Sequence, residues 1–346
     1  MANFREGLRV AKVNKQDEFY TTKDTIEAEL PFYRQWFENK IVYLNCDSEK
    51  SEFFNFFLKN FYLYKLKKLI ATSYNNNGYG VLLKKERDNL FYDKIILKGD
   101  GDFNSEECIE LLEESDVIVT NPPFSLWRKF IHTIIEHNKN FIILGTLNAA
   151  SYKFVFTEII NNKIRLGYGK QHTTHWFTVP ESYELRTSKS KQKNNKTLLP
   201  VGGVCWFTNI FMDNNSCNQF NFTSESPVYN KEYYQEYLNY PAINVDKIKD
   251  IPKDYYGLMG VPLTYLCVHN PSLFRITGSN SYNGDELLQS NLFYINMHGK
   301  EIFTKKAGNA VFVKIDKEHS KDDKLYYDKN GNYYKAPYAR IFIQRI

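Results

Sequence analysis

The chain has 346 residues, which is enough for one large α/β domain and a second module. Apolar residues make up 42% of it and support a folded core, whereas a formal net charge of +5 permits a polyanionic partner without demonstrating one. Five scattered cysteines without a CxxC pair argue for reduced thiols. With no signal-peptide pattern and no apolar run long enough to span a bilayer, the sequence predicts a soluble, cytoplasmic protein without a membrane partner.

Residues 1–15 carry basic side chains and little apolar content, which predicts a basic N-terminal arm. The segment Phe19-Tyr20-Thr21 comes soon after it, and apolar residues at helical spacing then predict one helix over residues 23–38. An aromatic pair ahead of a helix suits either simple packing or a ligand contact. The residues alone leave both interpretations open.

The first strand is predicted over residues 40–44, followed by the turn Asn45-Cys46-Asp47 and a helix over residues 49–60. Many ligand-binding α/β folds carry glycines in this first turn so that the backbone can approach the ligand, and this turn has none. Asp47 is therefore the best polar group for a ligand here. It equally suits an N-cap of the following helix, and the two roles are compatible.

A second strand is predicted over residues 68–73, without a carboxylate at its end to bind a ribose. Residues 74–94 are polar and predict a hairpin or a surface excursion. A short strand over residues 95–97 then leads to Asp102-Phe103. A carboxylate beside an aromatic ring suits a purine. A tight turn containing Asp and Gly accounts for the same residues.

The most informative stretch is residues 116–124, in which a β-favouring run passes directly into Asn121-Pro122-Pro123-Phe124. Proline cannot donate to a sheet and pushes the preceding residue out of the helical region, so the strand must stop at Asn121. Apolar spacing over residues 125–136 predicts a helix. This strand, turn and helix place the loop at the carboxyl edge of a sheet, where open α/β folds bind ligands.

The oxygens of this loop suit methyl transfer to an exocyclic amine. The amino group of adenine is a poor nucleophile because its lone pair is delocalised into the ring. The side-chain oxygen of Asn121 and the carbonyl of Pro122 would accept its two hydrogens and leave the lone pair facing a methyl donor, while Phe124 stacks on the ring. Orientation and fixed dipoles would supply the rate. The alternative is a two-proline loop without a function.

The middle of the chain adds a core strand over residues 141–144 and β segments over residues 164–167 and 176–179. His172 and His175 have no third ligand nearby, so no metal site is predicted. Basic side chains collect in a predicted loop over residues 183–199, where they suit DNA phosphates and a solvated surface equally well. They are Arg186, Lys189, Lys191, Lys193 and Lys196.

The loop Asn121-Pro122-Pro123-Phe124 resembles the Asn/Asp-Pro-Pro-Tyr/Phe signature of the amino-group DNA methyltransferases. Residues 17–21, the glycine-free turn Asn45-Cys46-Asp47 and the C-terminal half are similar to the EcoRI-type adenine-specific DNA methyltransferases. The similarity covers most of the chain, from residue 12 to residue 345. It is specific because this subfamily shares the glycine-free turn. The order of donor motifs, catalytic loop and recognition region is the one called gamma.

The resemblance implies S-adenosylmethionine as the methyl donor and adenine N6 in a short duplex DNA site as the acceptor, with base flipping and no metal. It assigns the catalytic role to Asn121, Pro122, Pro123 and Phe124. It assigns donor binding to Phe19, Tyr20, Thr21, Asn45, Cys46, Asp47, Asp102 and Phe103. It further implies that the pocket for the extruded base is lined by Trp176 or Phe177.

The implied fold is α/β, with a Rossmann-like methyltransferase sheet in a catalytic domain over residues 16–180. A DNA-recognition region over residues 181–346 follows, and its last strand could return to the catalytic core. The expected partners are double-stranded DNA and a cognate restriction endonuclease that acts on the same site without a stable complex, and the protein is expected to be a monomer.

Two other functions stay open. The same loop could serve methylation of RNA or of a protein glutamine. The missing glycines and the missing ribose carboxylate also fit a sequence-specific DNA-binding protein whose donor site has decayed.

Overall fold

A computed structural model describes residues 20–169, 175–179, 190–193, 196–212, 219–280, 290–296, 298–304, 310–316 and 325–346. The basic arm and Phe19, Arg186 and Lys189 lie outside these described residues. The chain is mixed α/β and divides into two compact units. The first is Met1–Ala149 with Ile164–Asn218, and the second is Ala150–Lys163 with Gln219–Ile346. The predicted domain boundary between residues 180 and 181 therefore lies inside the first unit.

The described part of the first unit contains twelve strands and four α-helices. The strands are β1 (Tyr20–Thr21), β2 (Ile41–Leu44), β3 (Lys68–Ser73), β4 (Val81–Glu86), β5 (Asp93–Ile96), β6 (Val117–Thr120), β7 (Asn140–Thr146), β8 (Arg165–Leu166), β9 (His175–Thr178), β10 (Lys191–Lys193), β11 (Lys196–Val201) and β12 (Val204–Thr208). The helices are α1 (Lys23–Glu27), α2 (Glu52–Asn60), α3 (Glu106–Glu114) and α4 (Trp127–Glu136). A short 3₁₀ helix spans Leu30–Tyr33, and another, Leu147–Ser151, crosses the boundary between the two units.

An eight-stranded sheet in the order β5-β4-β3-β2-β6-β7-β12-β8 forms the centre of this unit. Strands β3, β2, β6 and β7 are parallel, and the remaining strands extend the sheet at both edges in antiparallel pairings. All residues of β2 and β6 are buried. Strands covered on both faces consist of continuous apolar runs, which is why the sequence predicts these strands well.

Alternate residues of the parallel strands pack against α2. Val42 and Leu44 of β2 and Val119 of β6 belong to one core cluster with Phe53 and Phe57 of the helix. Side chains of a strand alternate between the two faces of the sheet, so this cluster lies on one face. The predicted strands over residues 40–44, 68–73, 116–120 and 141–144 are confirmed.

The helix predicted over residues 23–38 is wrong as one continuous element. Helix α1 ends at Glu27, and a 3₁₀ helix then begins at Leu30. Pro31 lacks the amide hydrogen that an α-helix interior requires, so a continuous helix is interrupted there. The apolar spacing still identifies the core, because Ile26, Leu30, Tyr33 and Phe37 are all fully buried.

A second sheet of the first unit has four strands in the order β1-β9-β11-β10, all antiparallel. The loop predicted over residues 183–199 is wrong in part, because Lys191–Lys193 and Lys196–Val201 are strands. Residues 191–197 are Lys, Gln, Asn and Thr, and Lys and Asn are depleted in β-structure, so composition argued against a hairpin here. Phe177, Leu199 and Val201 attach one face of this sheet to the core cluster.

The described part of the second unit contains α5 (Lys153–Ile160) and two five-stranded sheets. Its strands are β13 (Glu236–Tyr237), β14 (Tyr240–Asn244), β15 (Leu258–Pro262), β16 (Phe274–Ser279), β17 (Leu292–Ile295), β18 (Glu301–Thr304), β19 (Val313–Ile315), β20 (Tyr326–Tyr327), β21 (Tyr333–Lys335) and β22 (Arg340–Arg345). Two 3₁₀ helices span Ile248–Asp250 and Leu263–Val268.

The sheets of the second unit have the orders β13-β14-β15-β22-β16 and β18-β17-β20-β21-β19. The last strand, β22, pairs with β15 and β16 on its two sides. Its predicted return to the catalytic sheet is therefore not what the structure shows. Both hydrogen-bonding edges of β22 are occupied within the second unit, so no edge is left for another sheet.

Glu29 is a buried carboxylate that joins distant segments of the first unit. It is 1% exposed and accepts hydrogen bonds from the backbone amides of Tyr168 and Gly169, each at 2.7 Å, and from the hydroxyl of Tyr33 at 2.8 Å. A buried charge is tolerated when donors surround it. Glu29 thereby connects the segment after α1 to the chain ahead of β9.

Replacing Glu29 by Ala is expected to lower the free energy of unfolding by about 2–4 kcal/mol, because three donors lose their acceptor inside the core. Glu27→Ala is the matched control, since Glu27 is exposed and pairs only with Lys23 at 3.4 Å among the described ion pairs. Its expected effect is below about 0.5 kcal/mol. Urea unfolding followed by circular dichroism measures both, and equal effects would contradict the structural role of Glu29.

Candidate active site

The candidate site lies at the carboxyl ends of β2 and β6, which are neighbours in the sheet. From β2 the chain continues to β3 on one side, and it later returns to β6 on the other side. Such a reversal of strand order opens a crevice at the carboxyl ends of the two strands. The turn Asn45-Cys46-Asp47 and the loop Asn121-Pro122-Pro123-Phe124 both begin here, so the structure brings together two motifs that are far apart in the sequence.

Asp47 connects three strand ends at this position. Its carboxylate accepts a hydrogen bond from Thr120 Oγ1 at 2.7 Å, and Thr120 directly precedes Asn121. Its backbone amide donates to the carbonyl of Thr72, near the end of β3, at 2.9 Å. The Asn121-Pro122-Pro123-Phe124 loop and the first turn are therefore held to each other through a side chain that is 7% exposed.

The N-cap of α2 is Ser51, whose hydroxyl accepts from the amide of Phe54 at 3.0 Å. The interpretation of Asp47 as the cap of this helix is therefore wrong. The helix begins at Glu52, three residues later than predicted, and Asp47 lies too far ahead of it to act as a cap.

Burial raises the pKa of Asp47 to about 6, although hydrogen bonds from Thr120 and Ser51 oppose the shift. Burial likewise raises the pKa of the Cys46 thiol well above its ordinary value, so Cys46 is a neutral thiol. Asn45 is 4% exposed, and its Oδ1 accepts no hydrogen bond from the described residues. The first turn thus presents a neutral thiol and an amide oxygen that a ligand could use.

The Asn121-Pro122-Pro123-Phe124 loop leaves β6 at Thr120, as predicted, and the following helix begins at Trp127 rather than at Ser125. The carbonyl of Pro123 accepts from the amide of Leu126 at 2.9 Å, and Trp127 Nε1 donates to the carbonyl of Leu144 at 2.7 Å. Phe124 is half-buried and packs against the core cluster defined above. The loop is therefore anchored at both ends.

Gly145 makes room for the indole of Trp127. A Cβ at this position would lie 2.5 Å from Trp127 Nε1, well inside contact distance. The absence of a side chain at Gly145 therefore allows the first residue of α4 to reach the neighbouring strand.

Asp102 and Phe103 lie beside the carboxyl end of β3. Gly101 has a φ of +83°, and a Cβ there would lie 2.6 Å from the carbonyl of Ser73. Asp102 Oδ1 accepts from the amide of Asn104 at 2.8 Å, which is the tight turn that the sequence allowed. Phe103 is buried against Phe130 of α4. The donor roles of Asp102 and Phe103 stay predictions.

The pairing of β1 with β9 joins two further predicted segments, because Thr21 lies opposite Phe177 and Tyr20 opposite Thr178. Thr21 and Phe177 are buried, whereas Tyr20 is 49% exposed. Trp176 is half-buried, and Lys191 Nζ lies 4.1 Å from the centroid of its ring. The buried ring of Phe177 belongs to the core, so Trp176 is the more accessible of the two predicted pocket residues.

The predicted DNA-binding residues fall on the β10–β11 hairpin or outside the described chain. Lys191 and Lys193 are in β10 and Lys196 begins β11, with Lys193 opposite Lys196 in the backbone pairing. The contact of Lys191 with Trp176 is a cation–π interaction. Their DNA-binding role stays a prediction.

A family model described as "Adenine-specific methyltransferase EcoRI" matches residues 7–346. The chain belongs to this family. The predicted resemblance to EcoRI-type enzymes is confirmed, and the chain is a methyltransferase by family.

Curated relatives span most of the chain. The Type II methyltransferase M.MgeORF184P of Mycoplasma genitalium is 41% identical over 294 residues, covering 82% of this chain and 90% of the relative. The Type II methyltransferase M.EcoRI of Escherichia coli is 40% identical over 292 residues, covering 78% and 87%. M.MpnI of Mycoplasma pneumoniae is 36% identical over 298 residues, covering 84% and 91%. No solved structure shows significant similarity to the chain.

Among the described residues, no group of three or more His, Cys, Asp or Glu side chains is placed to hold a metal ion. His172 of the histidine pair lies outside the described chain. None of the helices that the structure describes combines the length and the hydropathy needed to cross a bilayer.

Sequence reasoning missed several residues that build the site of this methyltransferase. Thr120 could have been noticed, because a polar residue closes an otherwise apolar strand just ahead of the Asn-Pro-Pro loop. The link from Trp127 to β7 and the contact of the Asp47 amide with the Thr72 carbonyl had no signal, since each depends on strand pairing.

Asp47→Asn tests the ionisation of the buried carboxylate. The pKa of Asp47 is about 6 in the folded protein and near 3.8 without its environment, so the natural protein loses stability as the pH rises from about 4 to 6 and regains it as the pH falls through the same range. The unfolding free energy of Asp47→Asn minus that of the natural protein should therefore shrink by about 1–2 kcal/mol between pH 8 and pH 5. Urea unfolding across this range measures it, and a difference independent of pH would refute the assignment.

Proposed function

We propose that this protein is a site-specific DNA methyltransferase that transfers a methyl group from S-adenosylmethionine to N6 of adenine in a short duplex sequence, as the modification half of a restriction–modification system. The observation that carries the proposal is the position of the Asn121-Pro122-Pro123-Phe124 loop. It leaves β6 where the strand order reverses, and Thr120 binds it to the Asp47 turn at 2.7 Å. The parallel centre of the sheet supports a Rossmann-like arrangement.

The donor fits the polar atoms that the protein leaves unused. Thr21 Oγ1 and Asn45 Oδ1 are buried and have no hydrogen-bond partner among the described residues. Buried polar atoms of this kind are rare in native proteins, because each costs free energy unless something pairs with it. When bound, S-adenosylmethionine supplies an electrophilic methyl group. Asn45, Cys46 and Asp47 would hold it at the first turn.

Asp102 and Phe103 would complete the donor site beside the end of β3. The carboxylate of Asp102 can accept from a purine amine, and Phe103 can flank the ring. Asp102 Oδ1 already accepts from Asn104, so its second oxygen is the one offered to a ligand. Tyr20 and Thr21 would contact the donor from the other sheet, together with Phe19, which lies outside the described residues.

The acceptor amine would be held by the catalytic loop. Asn121 Oδ1 is buried, and Pro122 is a buried residue. Both are acceptors on a backbone that two prolines stiffen, so the amine would be oriented without a rearrangement of the loop. Fixed dipoles then favour the developing positive charge on nitrogen, and no general base has to act before transfer. Phe124 would stack on the base, with Pro123 fixing its direction.

Duplex DNA requires that the target base leave the stack, at a cost of a few kcal/mol. Trp176, partly accessible beside Lys191, would border the pocket that receives it. Lys191, Lys193, Lys196, Arg186 and Lys189 would contact phosphates. The second unit would carry the recognition of sequence. A cognate endonuclease, the monomeric state and the cytoplasmic location stay predictions.

Two alternative functions can be tested, one by measuring donor binding and the other by identifying the acceptor molecule. A DNA-binding protein with a decayed donor site would release no heat with S-adenosylmethionine in calorimetry, with or without DNA. The unpartnered oxygens of Thr21 and Asn45 favour a working site. A screen of duplex DNA, RNA and glutamine-containing peptides with labelled donor decides the acceptor, and sequencing of methylated bases in DNA from cells expressing the chain identifies the site.

Asn121→Ala is expected to lower kcat by at least about 100-fold, because the amine loses one of its two acceptors. Binding of S-adenosylmethionine should change little, since Asn121 faces the acceptor in this mechanism. Methylation of duplex DNA with labelled donor and calorimetric titration of the donor measure the two effects.

Asn89→Ala is the matched control for this substitution. Asn89 is exposed in the turn between β4 and β5, so both measurements should match the natural protein. Full activity of Asn121→Ala would remove Asn121 from the mechanism, and equal loss of donor binding would show that it serves the donor instead.

A further inference from the structure

His175 is a buried histidine that the chemistry described so far does not use. It opens β9 and is 8% exposed, yet its Nε2 has no hydrogen-bond partner among the described residues. Burial lowers the pKa of the imidazole, so the side chain is neutral at physiological pH. A buried ring nitrogen without a partner is costly, and it points to a partner that is not among the described residues, such as a bound ligand.

A second unpartnered atom lies on the same face of the sheet. Thr21 of β1 is directly opposite Phe177, and His175 is two residues before Phe177 on β9. Directly opposite residues and residues two apart share a face, so Thr21 and His175 are diagonal neighbours, with their Cα atoms roughly 7–8 Å apart. Thr21 is 5% exposed, and its Oγ1 also lacks a partner in the described chain.

The positions of this face around Thr21 and His175 are apolar, and the polar Gln192 and Thr197 further along it bond to each other at 2.8 Å. Phe177, Leu199 and Val201 belong to the core cluster that includes Val42 and Leu44 of β2. Phe124 of the catalytic loop packs against the same cluster. The two unpartnered atoms therefore lie on a face whose core also borders the candidate site, where solvent cannot satisfy them.

We propose that His175 binds the amino-acid end of S-adenosylmethionine together with Thr21. This rests on the proposed function. Asp102 and Phe103 lie beside the end of β3 and suit the adenine end, whereas β1 contacts α2, the helix that follows the first turn. The α-ammonium and α-carboxylate are thus left for Thr21 and His175. A neutral imidazole can accept from the ammonium or donate to the carboxylate through Nε2.

The test combines a truncated side chain with a truncated ligand. S-adenosylhomocysteine contains the amino-acid end, and 5′-methylthioadenosine lacks it. His175→Phe keeps a ring of similar size without the nitrogen and should weaken binding of S-adenosylhomocysteine about tenfold. Binding of 5′-methylthioadenosine should stay within about twofold of the natural protein, because the contact concerns atoms that this ligand does not have. Calorimetric titration, direct or by displacement, measures all four affinities.

His175→Gln separates contact from packing. Its amide can replace the Nε2 hydrogen bond, so it should bind S-adenosylhomocysteine more tightly than His175→Phe. It also provides the measurement if the Phe variant does not fold, as judged by thermal unfolding. In that case a tenfold difference confined to S-adenosylhomocysteine between His175→Gln and His175→Ala serves the same purpose.

Three results would overturn the proposal. If His175→Phe weakens the binding of both ligands equally, His175 has a purely structural role. Unchanged affinity for both ligands would show that His175 contacts no part of the donor. A raised KM for DNA alone would show that His175 contacts the target base instead. If the natural protein binds neither ligand nor S-adenosylmethionine, the proposed function itself fails. His132→Gln, on the exposed side of α4, is the control and should leave both affinities unchanged.

Discussion

The hydrogen bond from Thr120 to Asp47 is the interaction on which the candidate site depends. It joins the residue just before Asn121 to the turn after β2, and the amide of Asp47 extends the link to Thr72 of β3. A carboxylate at 7% exposure is costly to ionise, and its raised pKa reflects that cost. Donors at the strand ends offset part of it. The buried carboxylate of Asp47 therefore lowers the stability of the fold and at the same time aligns the two loops. Such a cost is common where a site has to be held in one geometry.

This link explains how a first turn without glycine can serve an α/β site. Glycines in such turns allow close approach of backbone to ligand. Here the close backbone approach occurs elsewhere, between Gly101 and Ser73 and between Gly80 and Gly101, where an added Cβ would lie under 3 Å from its neighbours. The loop that contains Gly101, between β5 and α3, therefore lies against the end of β3. In the first turn, the side chains of Asn45, Cys46 and Asp47 stand where other folds of this type have glycine backbone.

The sequence predicted best the strands that are surrounded by apolar side chains on both faces. Strands β2 and β6 are buried on both faces, so their apolar runs leave little choice of structure. The break at Pro31 was visible in the sequence, but the apolar spacing across it suggested one continuous helix. The β10–β11 hairpin was missed because residues 191–197 are all polar. The pairing of β1 with β9 joins residues more than 150 positions apart, and no local pattern encodes such a contact.

The loop motifs of the site could be predicted from the sequence, whereas the way they come together could not. Each predicted loop is recognisable because consecutive residues, two prolines or an Asp–Gly pair, restrict the local backbone. The buried oxygens of Thr21 and Asn45 and the ring nitrogen of His175 become conspicuous only when burial and hydrogen bonding are known. A fold selected for stability alone would have replaced these atoms by apolar groups or given them partners. That a methyltransferase retains them is best understood if their partners arrive with the ligand, because only then is the cost of burying them recovered.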